Sequence, residues 1–551
     1  MSAYRTFERF TSQSRYWNNQ MRGPDRPGMS VKTDVPVFIS GETIMKTISR
    51  KAVFKAAFIL CALWTAFSGK VFADTYVSAA ISGEQVTVNI SADELSDDGI
   101  YYLYAQYPFE EGASGEKIAE GSSTSFSFVF TTEYLYKKFS VLTLQNGVLT
   151  EIGSSYITNP ESIAEHTAER MDGGIKGILP DLSVLSDGYM EDLEIDQTTC
   201  NAYLGRIVSG TGITYEYDGR VYSFDETAVA ELDAAIFLLS SHGIQVTVIL
   251  LNDMAENTVL IHSLSLDGTE AEGYAFNTET EAGIKTLAAV TSFLAERYGN
   301  ESLYGQVDNW IVGNEVNAYG TWSYMDSEDV SSYTKDYAEA FRIVYNAVKS
   351  QNANANVYIS LDNEWTVSAK GSVFAGKDVL SWFNHYISFE GNIDWRVAFH
   401  PYNTPLSKVE TWEESSLVLH DEDSPYITML NIDVLTDFLS QDEFLSPSGD
   451  VRSVKISEVG YTSSDGEALQ AAAVVFAYMQ ALNNRYIDGL ILNRQTNAAE
   501  EVKNGLYLGL MTLSGKTKLA YDYYKHANEQ NYQKAASSLA GVSLEELITV
   551  R

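Results

Sequence analysis

Residues 309–317 read Asn-Trp-Ile-Val-Gly-Asn-Glu-Val-Asn, an apolar run that ends in a carboxylate flanked by amides. The β-branched residues predict a buried strand, and alternation places Gly313 and Glu315 on one face of it. A carboxylate at the end of a buried strand is costly to place there without a use. In a barrel of parallel strands, catalytic groups collect at the carboxyl ends. Glu315 is therefore a candidate catalytic residue; the alternative is a Glu that accepts hydrogen bonds from the next loop.

A second strand-like run also stops at a glutamate. Residues 451–461 read Val-Arg-Ser-Val-Lys-Ile-Ser-Glu-Val-Gly-Tyr, so Glu458 is followed by a glycine turn. Two strand-end carboxylates suit a retaining glycosidase, in which the carboxyl groups lie about 5–5.5 Å apart. One of them protonates the leaving oxygen and the other attacks the sugar. Whether Glu315 and Glu458 can meet depends on how the chain between them folds.

The N-terminal residues predict targeting rather than fold. A basic segment opens at Met45, an apolar run covers residues 56–67, and small residues precede a cut after Ala73. This layout predicts a signal peptide over residues 45–73; a membrane anchor is disfavoured because the run is shorter than the roughly 20 residues of a span. Residues 1–44 are interpreted as a mis-called start. We expect a secreted, extracellular protein, free or held at the cell surface, with no membrane segment after cleavage.

The net charge and the placement of the histidines, glycines and cysteines limit the kinds of partner and cofactor that we expect. Without residues 1–73, which hold 11 basic and 4 acidic residues, the formal net charge changes from −37 to −44. Such a surface repels phosphate backbones, so nucleic acid is not an expected partner. The seven histidines lack metal-ligand spacing, no glycine-rich phosphate loop is present, and Cys200 has no disulfide partner once Cys61 leaves. We expect a monomer without metal or cofactor.

Residues 74–157 alternate with a period of two. Turn clusters such as Ser82-Gly83-Glu84 and Gln145-Asn146-Gly147 separate the short runs. Short strands with frequent turn signals predict a small all-β sandwich domain. It contains no carboxylate pair, so an accessory or spacing domain is the main interpretation and sugar binding is the alternative. Residues 158–173 are interpreted as a linker.

From residue 174 to residue 527, strands alternate with helices, as in β/α units. A hairpin over Thr214–Phe224 interrupts them, turning on Asp218-Gly219. Eight alternating units predict an α/β fold, a (β/α)₈ TIM barrel with insertions. Residues 528–551 form a C-terminal tail. The predicted barrel strands are 175–179, 193–201, 244–251, the run from 309, 357–361, 393–400, the run to 458, and 488–493.

On this count the two glutamates end strands four and seven, across the barrel mouth from each other. Here the sequence resembles clan A of the retaining glycoside hydrolases. In that clan an Asn-Glu pair on strand four supplies the acid/base and a Glu on strand seven is the nucleophile. The matching residues are Asn314-Glu315 and Glu458. The resemblance covers residues 174–527 and implies Glu315 as acid/base and Glu458 as nucleophile.

Within this clan the chain is most similar to an uncharacterised family of secreted bacterial barrel proteins that share its Trp-Ile-x-Gly-Asn-Glu and Ser-Glu-x-Gly runs. Clan members often carry His-x-Tyr on strand six, here His400-Pro401-Tyr402. The resemblance implies that Tyr402 hydrogen-bonds Glu458 and that His400 lines the sugar subsite. From its residue type, the Asn314 amide is expected to bond a sugar 2-hydroxyl, a contact that strengthens in the transition state.

Other strand-end groups are candidate sugar contacts. Trp365 follows strand five and could stack on a sugar face, with ordinary packing as the alternative. Asn252, Asn493 and Arg494 are polar groups at strand ends and are expected to contact hydroxyls. Many clan members carry a Trp at the end of strand eight, where this chain has Asn493-Arg494.

Asn363-Glu364 is a second Asn-Glu at a strand end and therefore a rival for the acid. If the strands were miscounted, Glu364 would be the acid and Glu315 only a neighbour. The sequence predicts a secreted retaining glycoside hydrolase that acts on a polysaccharide or oligosaccharide. The alternative is a non-catalytic carbohydrate-binding or cell-envelope protein on the same barrel, because a fold does not fix a function.

Overall fold

The structure is a computed structural model that describes residues 76–92, 96–171, 173–267, 270–299 and 303–551. The predicted start and signal segments, residues 1–44 and 45–73, lie outside these ranges.

The N-terminal region is all-β and forms two antiparallel sheets. One has the order β1-β2-β5 and the other β4-β3-β6-β7. Alternate residues of the first two strands are buried, because the sheets present one apolar face to the core. The strands are β1 (Tyr76–Ser82), β2 (Gln85–Ser91), β3 (Tyr101–Gln106), β4 (Glu116–Gly121), β5 (Ser125–Val129), β6 (Lys138–Gln145) and β7 (Val148–Ser155).

The alternation of apolar and polar residues in the sequence does not predict two of these strands, β4 and β7. The β4 residues Glu-Lys-Ile-Ala-Glu-Gly are exposed or half-buried throughout, so no apolar alternation marks them. β7 pairs with β6 across the two-residue turn Asn146-Gly147, where both residues have positive φ. That dipeptide is a strong hairpin signal. It predicts the following strand as well as the turn.

Eight parallel strands close into a barrel in the order β12-β13-β14-β15-β16-β17-β8-β9. The predicted α/β class is confirmed, and the closed parallel barrel with helices between its strands agrees with the predicted (β/α)₈ barrel. The predicted hairpin is also present, as β10 (Gly212–Tyr217) and β11 (Arg220–Asp225). The barrel strands are β8 (Lys176–Ile178), β9 (Gln197–Tyr203), β12 (Gln245–Leu251), β13 (Asn309–Val312), β14 (Asn356–Asp362), β15 (Trp395–His400), β16 (Val454–Val459) and β17 (Ile487–Leu492).

Helices connect the barrel strands and pack around them. Several begin at a side-chain cap; Asp329, for example, accepts a hydrogen bond from the Ser332 N–H at 3.0 Å. No helix in the described part of the chain is long and apolar enough to cross a membrane. The helices are α1 (Tyr189–Asp192), α2 (Leu204–Ser209), α3 (Glu226–Ser241), α4 (Glu281–Arg297), α5 (Tyr319–Trp322), α6 (Val330–Gln351), α7 (Gly376–Phe389), α8 (Asp433–Leu439), α9 (Glu467–Leu482), α10 (Ala499–Lys503), α11 (Leu519–Lys525) and α12 (Gln530–Ala540).

The N-terminal sheets pack against the side of the barrel. Asn346 of α6 donates to the Leu135 carbonyl at 2.6 Å, and Lys138 pairs with Glu390 at 3.0 Å. The segment over residues 158–173 lies along the same side, with a bridge between His166 and Asn352. These contacts join the two regions through one continuous apolar core.

The C-terminal segment also packs on the barrel. Helix α12 contacts α9, and the final residue, Arg551, pairs with Asp433 at 2.9 Å and Asp437 at 2.7 Å. These contacts hold the C-terminal segment against helices α8 and α9 of the barrel.

A polar network fills the barrel interior at its amino-terminal end. Lys455 is fully buried, and its ammonium contacts the Gln197 carboxamide and lies 3.1 Å from Asp488. Asp488 also accepts hydrogen bonds from Ser453 at 2.7 Å and Tyr358 at 2.9 Å. Burial would raise the pKa of Asp488, but the Lys455 charge and the Ser453 hydroxyl lower it to about 2. The mutual pairing makes this buried charge tolerable.

Replacing Lys455 by Met is expected to destabilise the protein by about 3 kcal/mol, because Asp488 loses its buried counter-charge and keeps only Arg396, 3.6 Å away. Urea unfolding of both proteins measures the difference. Adding Asp488→Asn to that variant should recover part of the loss. Lys516→Met, at an exposed lysine, should change the free energy of unfolding by less than about 0.5 kcal/mol. A Lys455→Met protein as stable as this control would contradict the assignment.

Candidate active site

Glu315 is positioned by a turn that follows strand four. β13 ends at Val312, and Gly313 and Glu315 then adopt positive φ angles of 75° and 40°. The prediction that Gly313 and Glu315 share a strand face is therefore wrong, because the chain has already left the strand. A non-glycine residue with positive φ is uncommon and costs free energy. The Glu315 N–H donates to the Ser360 hydroxyl at 3.0 Å, which helps to hold this conformation.

The Glu315 carboxyl group is buried, and only one of its two oxygens has a hydrogen-bond partner among the described residues. Its residue is 4% exposed, Oε1 lies 2.7 Å from His400 Nδ1, and Oε2 has no hydrogen-bond partner among the described residues. Burial raises the pKa of Glu315 to about 7, against the lowering effect of His400 and with help from the charges of Asp362 and Glu458. This carboxyl group can therefore hold a proton near neutral pH.

His400, at the end of β15, connects strands four and seven. Its Nδ1 contacts Glu315, and its Nε2 lies 3.0 Å from the Ser457 hydroxyl. Burial alone would lower its pKa, but Glu315, Glu458 and Asp362 raise it overall. When Nδ1 carries its hydrogen, His400 donates to Glu315 Oε1, and a proton on the carboxyl group then belongs to Oε2.

Glu458 lies on β16, where the pairing with β17 is irregular between Ile456 and Val459. Regular alternation would point consecutive side chains to opposite faces. Here Ser457 contacts His400 while Glu458 accepts a hydrogen bond from the Tyr402 hydroxyl at 2.6 Å. The Glu458 side chain is partly exposed, in contrast to the buried Glu315.

Asn493 adds a second donor to Glu458. Its Nδ2 lies 3.3 Å from Glu458 Oε1 and 2.9 Å from the Tyr402 hydroxyl. The glycine of the Ser-Glu-x-Gly run allows this approach, since a Cβ on Gly460 would lie 2.3 Å from the Asn493 carbonyl oxygen. The Tyr402 hydroxyl and the Asn493 amide both donate to the same Glu458 oxygen, Oε1. The predicted contact between Tyr402 and Glu458 is present.

Two further predicted residues lie beside this group. Asn314 is 5% exposed, and its side chain makes no hydrogen bond within the described ranges. Arg494 donates from Nε to Asn493 Oδ1 at 3.2 Å, and the same nitrogen lies 3.9 Å from Glu501. The peptide bond between Asn493 and Arg494 is cis. Both side chains retain polar atoms that a ligand could use.

Trp365 and Asn252 serve the packing of the structure instead. Trp365 is fully buried, donates from Nε1 to the Glu422 carbonyl at 3.1 Å and packs edge-on against Phe438. It therefore offers no free face for a sugar, and the ordinary-packing alternative holds. The Asn252 amide donates to the carbonyls of Leu260, Tyr274 and Ala275, each at 3.0 Å. These bonds hold its own loop in place and leave only the buried Oδ1 of Asn252 without a hydrogen-bond partner in the described chain.

Glu364 lies after β14 and does not replace Glu315. Burial and the neighbouring Asp362 raise the pKa of Glu364 to about 9, and its carboxyl group hydrogen-bonds Asp362. The His400 contact belongs to Glu315. The eight-strand count places Glu315 after strand four and Glu364 after strand five.

Four polar residues near the carboxyl groups were not predicted. Ser360 holds the Glu315 turn, Ser457 contacts His400, and Asn317 bonds Asp362. Asn317 closes the quoted Asn-Glu-Val-Asn run, and Asp362 ends a predicted strand, so strand-end position was an available signal for both. In the described part of the chain, no group of three His, Cys, Asp or Glu side chains is arranged to hold a metal ion.

Replacing Glu315 by Gln is expected to stabilise the protein at pH 8 and not at pH 4. The pKa of Glu315 is raised, so the stability that its protonated form contributes is present below the unfolded value of 4.5 and is lost as pH rises through about 7. A neutral amide avoids that loss, which amounts to about 3 kcal/mol as an upper estimate. Urea unfolding at both pH values measures it.

The exposed Glu422 provides the control. Glu422→Gln should leave the free energy of unfolding unchanged at both pH values. An effect of Glu315→Gln that is the same at pH 4 and pH 8 would contradict the raised pKa.

Comparisons with solved structures find enzymes that act on glycosides. A β-D-glucuronidase from Dictyoglomus thermophilum is 11% identical with a TM-score of 0.35, covering 83% of this chain and 68% of that one. An exo-β-1,4-mannosidase from Opitutaceae bacterium strain TAV5 is 14% identical with a TM-score of 0.38, covering 68% and 62%. A family 1 β-glucosidase from Thermotoga maritima is 13% identical with a TM-score of 0.37, covering 64% and 86%. These values are too low to assign an activity.

Comparison with curated proteins finds no match. Residues 168–546 match the model of a family of unknown function, DUF5722. This match includes all eight barrel strands and spans more than half of the sequence. The chain therefore belongs to the family of unknown function DUF5722.

Proposed function

We propose that this protein is a retaining glycoside hydrolase with Glu315 as acid/base and Glu458 as nucleophile. The observation that carries the proposal is the difference between the two carboxyl groups. Glu315 is buried and has an unpartnered oxygen, whereas Glu458 is partly exposed and accepts hydrogen bonds from Tyr402 and Asn493. Glycoside hydrolysis needs one protonated and one ionised carboxyl group on opposite sides of the scissile bond.

In the first step, the Glu458 carboxylate attacks the anomeric carbon of the sugar. The bond from that carbon to the leaving oxygen breaks, and Glu315 transfers its proton from Oε2 to this oxygen. The products are a free hydroxyl on the leaving group and a glycosyl ester on Glu458. The unpartnered Oε2 is suited to this transfer because no protein group competes for its proton.

In the second step, Glu315 is a carboxylate and acts as a base. It accepts a proton from water while the water oxygen bonds to the anomeric carbon, and the ester bond to Glu458 breaks. Glu458 is released as a carboxylate, and Glu315 regains its proton. Two inversions at the same carbon give overall retention of the anomeric configuration.

The substrate in this proposal is a polysaccharide or oligosaccharide bound at the barrel mouth. Asn314 and Arg494 provide hydroxyl contacts, and His400 orients the acid. The N-terminal sheets, as a β-sandwich, serve as an accessory domain. The proposal includes secretion through the signal predicted over residues 45–73.

Glu315→Gln and Glu458→Gln are expected to separate the two roles. On natural polysaccharides both should lose activity, Glu315→Gln by about 10²–10⁴-fold and Glu458→Gln by more. On an aryl glycoside with a good leaving group, Glu315→Gln should regain its first step, because such a leaving group needs no proton. Reducing-end and phenol release by the protein lacking residues 1–73 measure these rates.

Glu364→Gln is the matched comparison, since it changes the other Asn-Glu pair. Full activity of the Glu315→Gln variant, together with loss of activity in the Glu364→Gln variant, would contradict the assignment of Glu315 as the acid. Proton NMR of the first sugar product should show the anomer of the substrate. An inverted product would contradict the nucleophilic role of Glu458.

Tyr402→Phe is expected to lower kcat/KM by about 10–100-fold, the value of one hydrogen bond to a charged group. Its hydroxyl lies 2.6 Å from Glu458, and the phenyl ring preserves the packing. Steady-state kinetics on the substrate found above measure the loss. Tyr461→Phe is the control, since the buried Tyr461 hydroxyl has no hydrogen-bond partner in the described chain. Equal effects of the two substitutions would contradict a specific role for the hydrogen bond between Tyr402 and Glu458.

A further inference from the structure

A reciprocal pair of hydrogen bonds joins the Glu315 turn to the end of strand five. The Asp362 backbone N–H donates to Asn317 Oδ1 at 2.9 Å. In return, Asn317 Nδ2 donates to Asp362 Oδ1, also at hydrogen-bond distance. Both residues are almost completely buried. Two hydrogen bonds between these buried residues, one from the Asp362 backbone and one to its side chain, fix Asp362 relative to the turn that carries Glu315.

Glu364 completes this arrangement from the other side. Its backbone N–H donates to Asp362 Oδ1 at 2.9 Å, and its protonated carboxyl group hydrogen-bonds the Asp362 side chain. The Asn363-Glu364 segment, which is the rival for the acid in the sequence, therefore donates to Asp362.

We propose that Asp362 is a positioning residue for the acid/base, holding a fixed negative charge beside Glu315 throughout the reaction. This inference rests on the proposed function. Strand five, through Ser360 and through the bonds between Asp362 and Asn317, would set both the conformation and the proton affinity of Glu315. In the proposed mechanism, Asp362, Asn317 and Ser360 do not touch the substrate.

The reaction itself creates the need for such a charge. Glu458 is ionised before the first step, so its charge helps Glu315 to keep its proton. In the glycosyl ester Glu458 is neutral, and that help is gone. Asp362 takes no part in the bond changes, so its effect on Glu315 is the same in both states, and the affinity of Glu315 for a proton in the glycosyl ester is higher than it would be without Asp362. Glu315 can then recover its proton at the end of the cycle.

The groups that face Glu315 come from three further strands. Strand five contributes Asp362 and Glu364, strand six contributes His400, and strand seven contributes Glu458. Of these, Asp362 and Glu458 raise the pKa of Glu315 and His400 lowers it. Removing the Asp362 charge should therefore lower that pKa.

Asp362→Asn tests this inference, because Asn is close in shape and can still accept from Asn317 and the Glu364 N–H. Wild-type kcat/KM should fall as pH rises through about 7, where Glu315 loses its proton. In Asp362→Asn this limb should move to lower pH by about one unit, which is about a tenfold loss at pH 8. At pH 5 the two proteins should agree within about twofold. Asp362→Glu should restore the wild-type limb.

Asp378→Asn removes an exposed carboxylate from α7 and is the control for net charge; its limb should not move. An equal loss of activity at every pH in Asp362→Asn would mean a merely structural role and would overturn the proposal.

A second readout does not depend on turnover. In protein labelled with ¹³C at the glutamate carboxyl carbon, the Glu315 signal is identified by its loss in Glu315→Gln. Its titration midpoint should fall in Asp362→Asn. If the wild type hydrolyses nothing, the proposed function fails while this titration still decides the role of Asp362. An unchanged midpoint would overturn the inference in either case.

Discussion

The arrangement of the barrel mouth depends on one buried carboxyl group, that of Glu315. Placing it there costs free energy twice, since its backbone has a positive φ and one of its oxygens lacks a partner. The surrounding residues offset this cost only in part. Ser360 holds the backbone, His400 binds the other oxygen, and protonation removes the charge. A protonated carboxyl group with one oxygen free of protein partners in the described chain is what the proposed acid/base role uses.

The rest of the barrel provides the rigidity that such a site requires. At the amino-terminal end, Lys455 and Asp488 fill the interior with a paired, hydrogen-bonded network. The N-terminal sheets contact the outside of the barrel through Asn346, and the C-terminal segment does so through Arg551. These contacts hold the barrel on which the strand-end residues lie.

Much of the fold could be predicted from the sequence, because alternation and turn residues are local signals. The eight barrel strands, the Asp218-Gly219 hairpin and the strand-four and strand-seven glutamates follow from such patterns. Strand β4 was missed because it buries little apolar surface. The Glu315 turn was misjudged because a positive φ at a glutamate is held by Ser360, which lies 45 residues away. Local periodicity has no access to such a contact.

The same limit applies to the candidate site. The contact between Tyr402 and Glu458 was expected from a resemblance and is present. Trp365 was misplaced because its burial depends on Phe438 and the loop at Glu422, and Asn252 because its partners lie on its own closing loop. Asp362 and Asn317 were overlooked as a pair, since their reciprocal bonds join two different strands.

The most direct test of the central claim is to trap the covalent intermediate. The protein lacking residues 1–73, in its Glu315→Gln form, is mixed with activated aryl glycosides of several sugars, digested with a protease and analysed by mass spectrometry. We expect one peptide that is heavier by one glycosyl unit, with the sugar on Glu458. An adduct on another residue, or inverted product with no adduct, would contradict double displacement through Glu458.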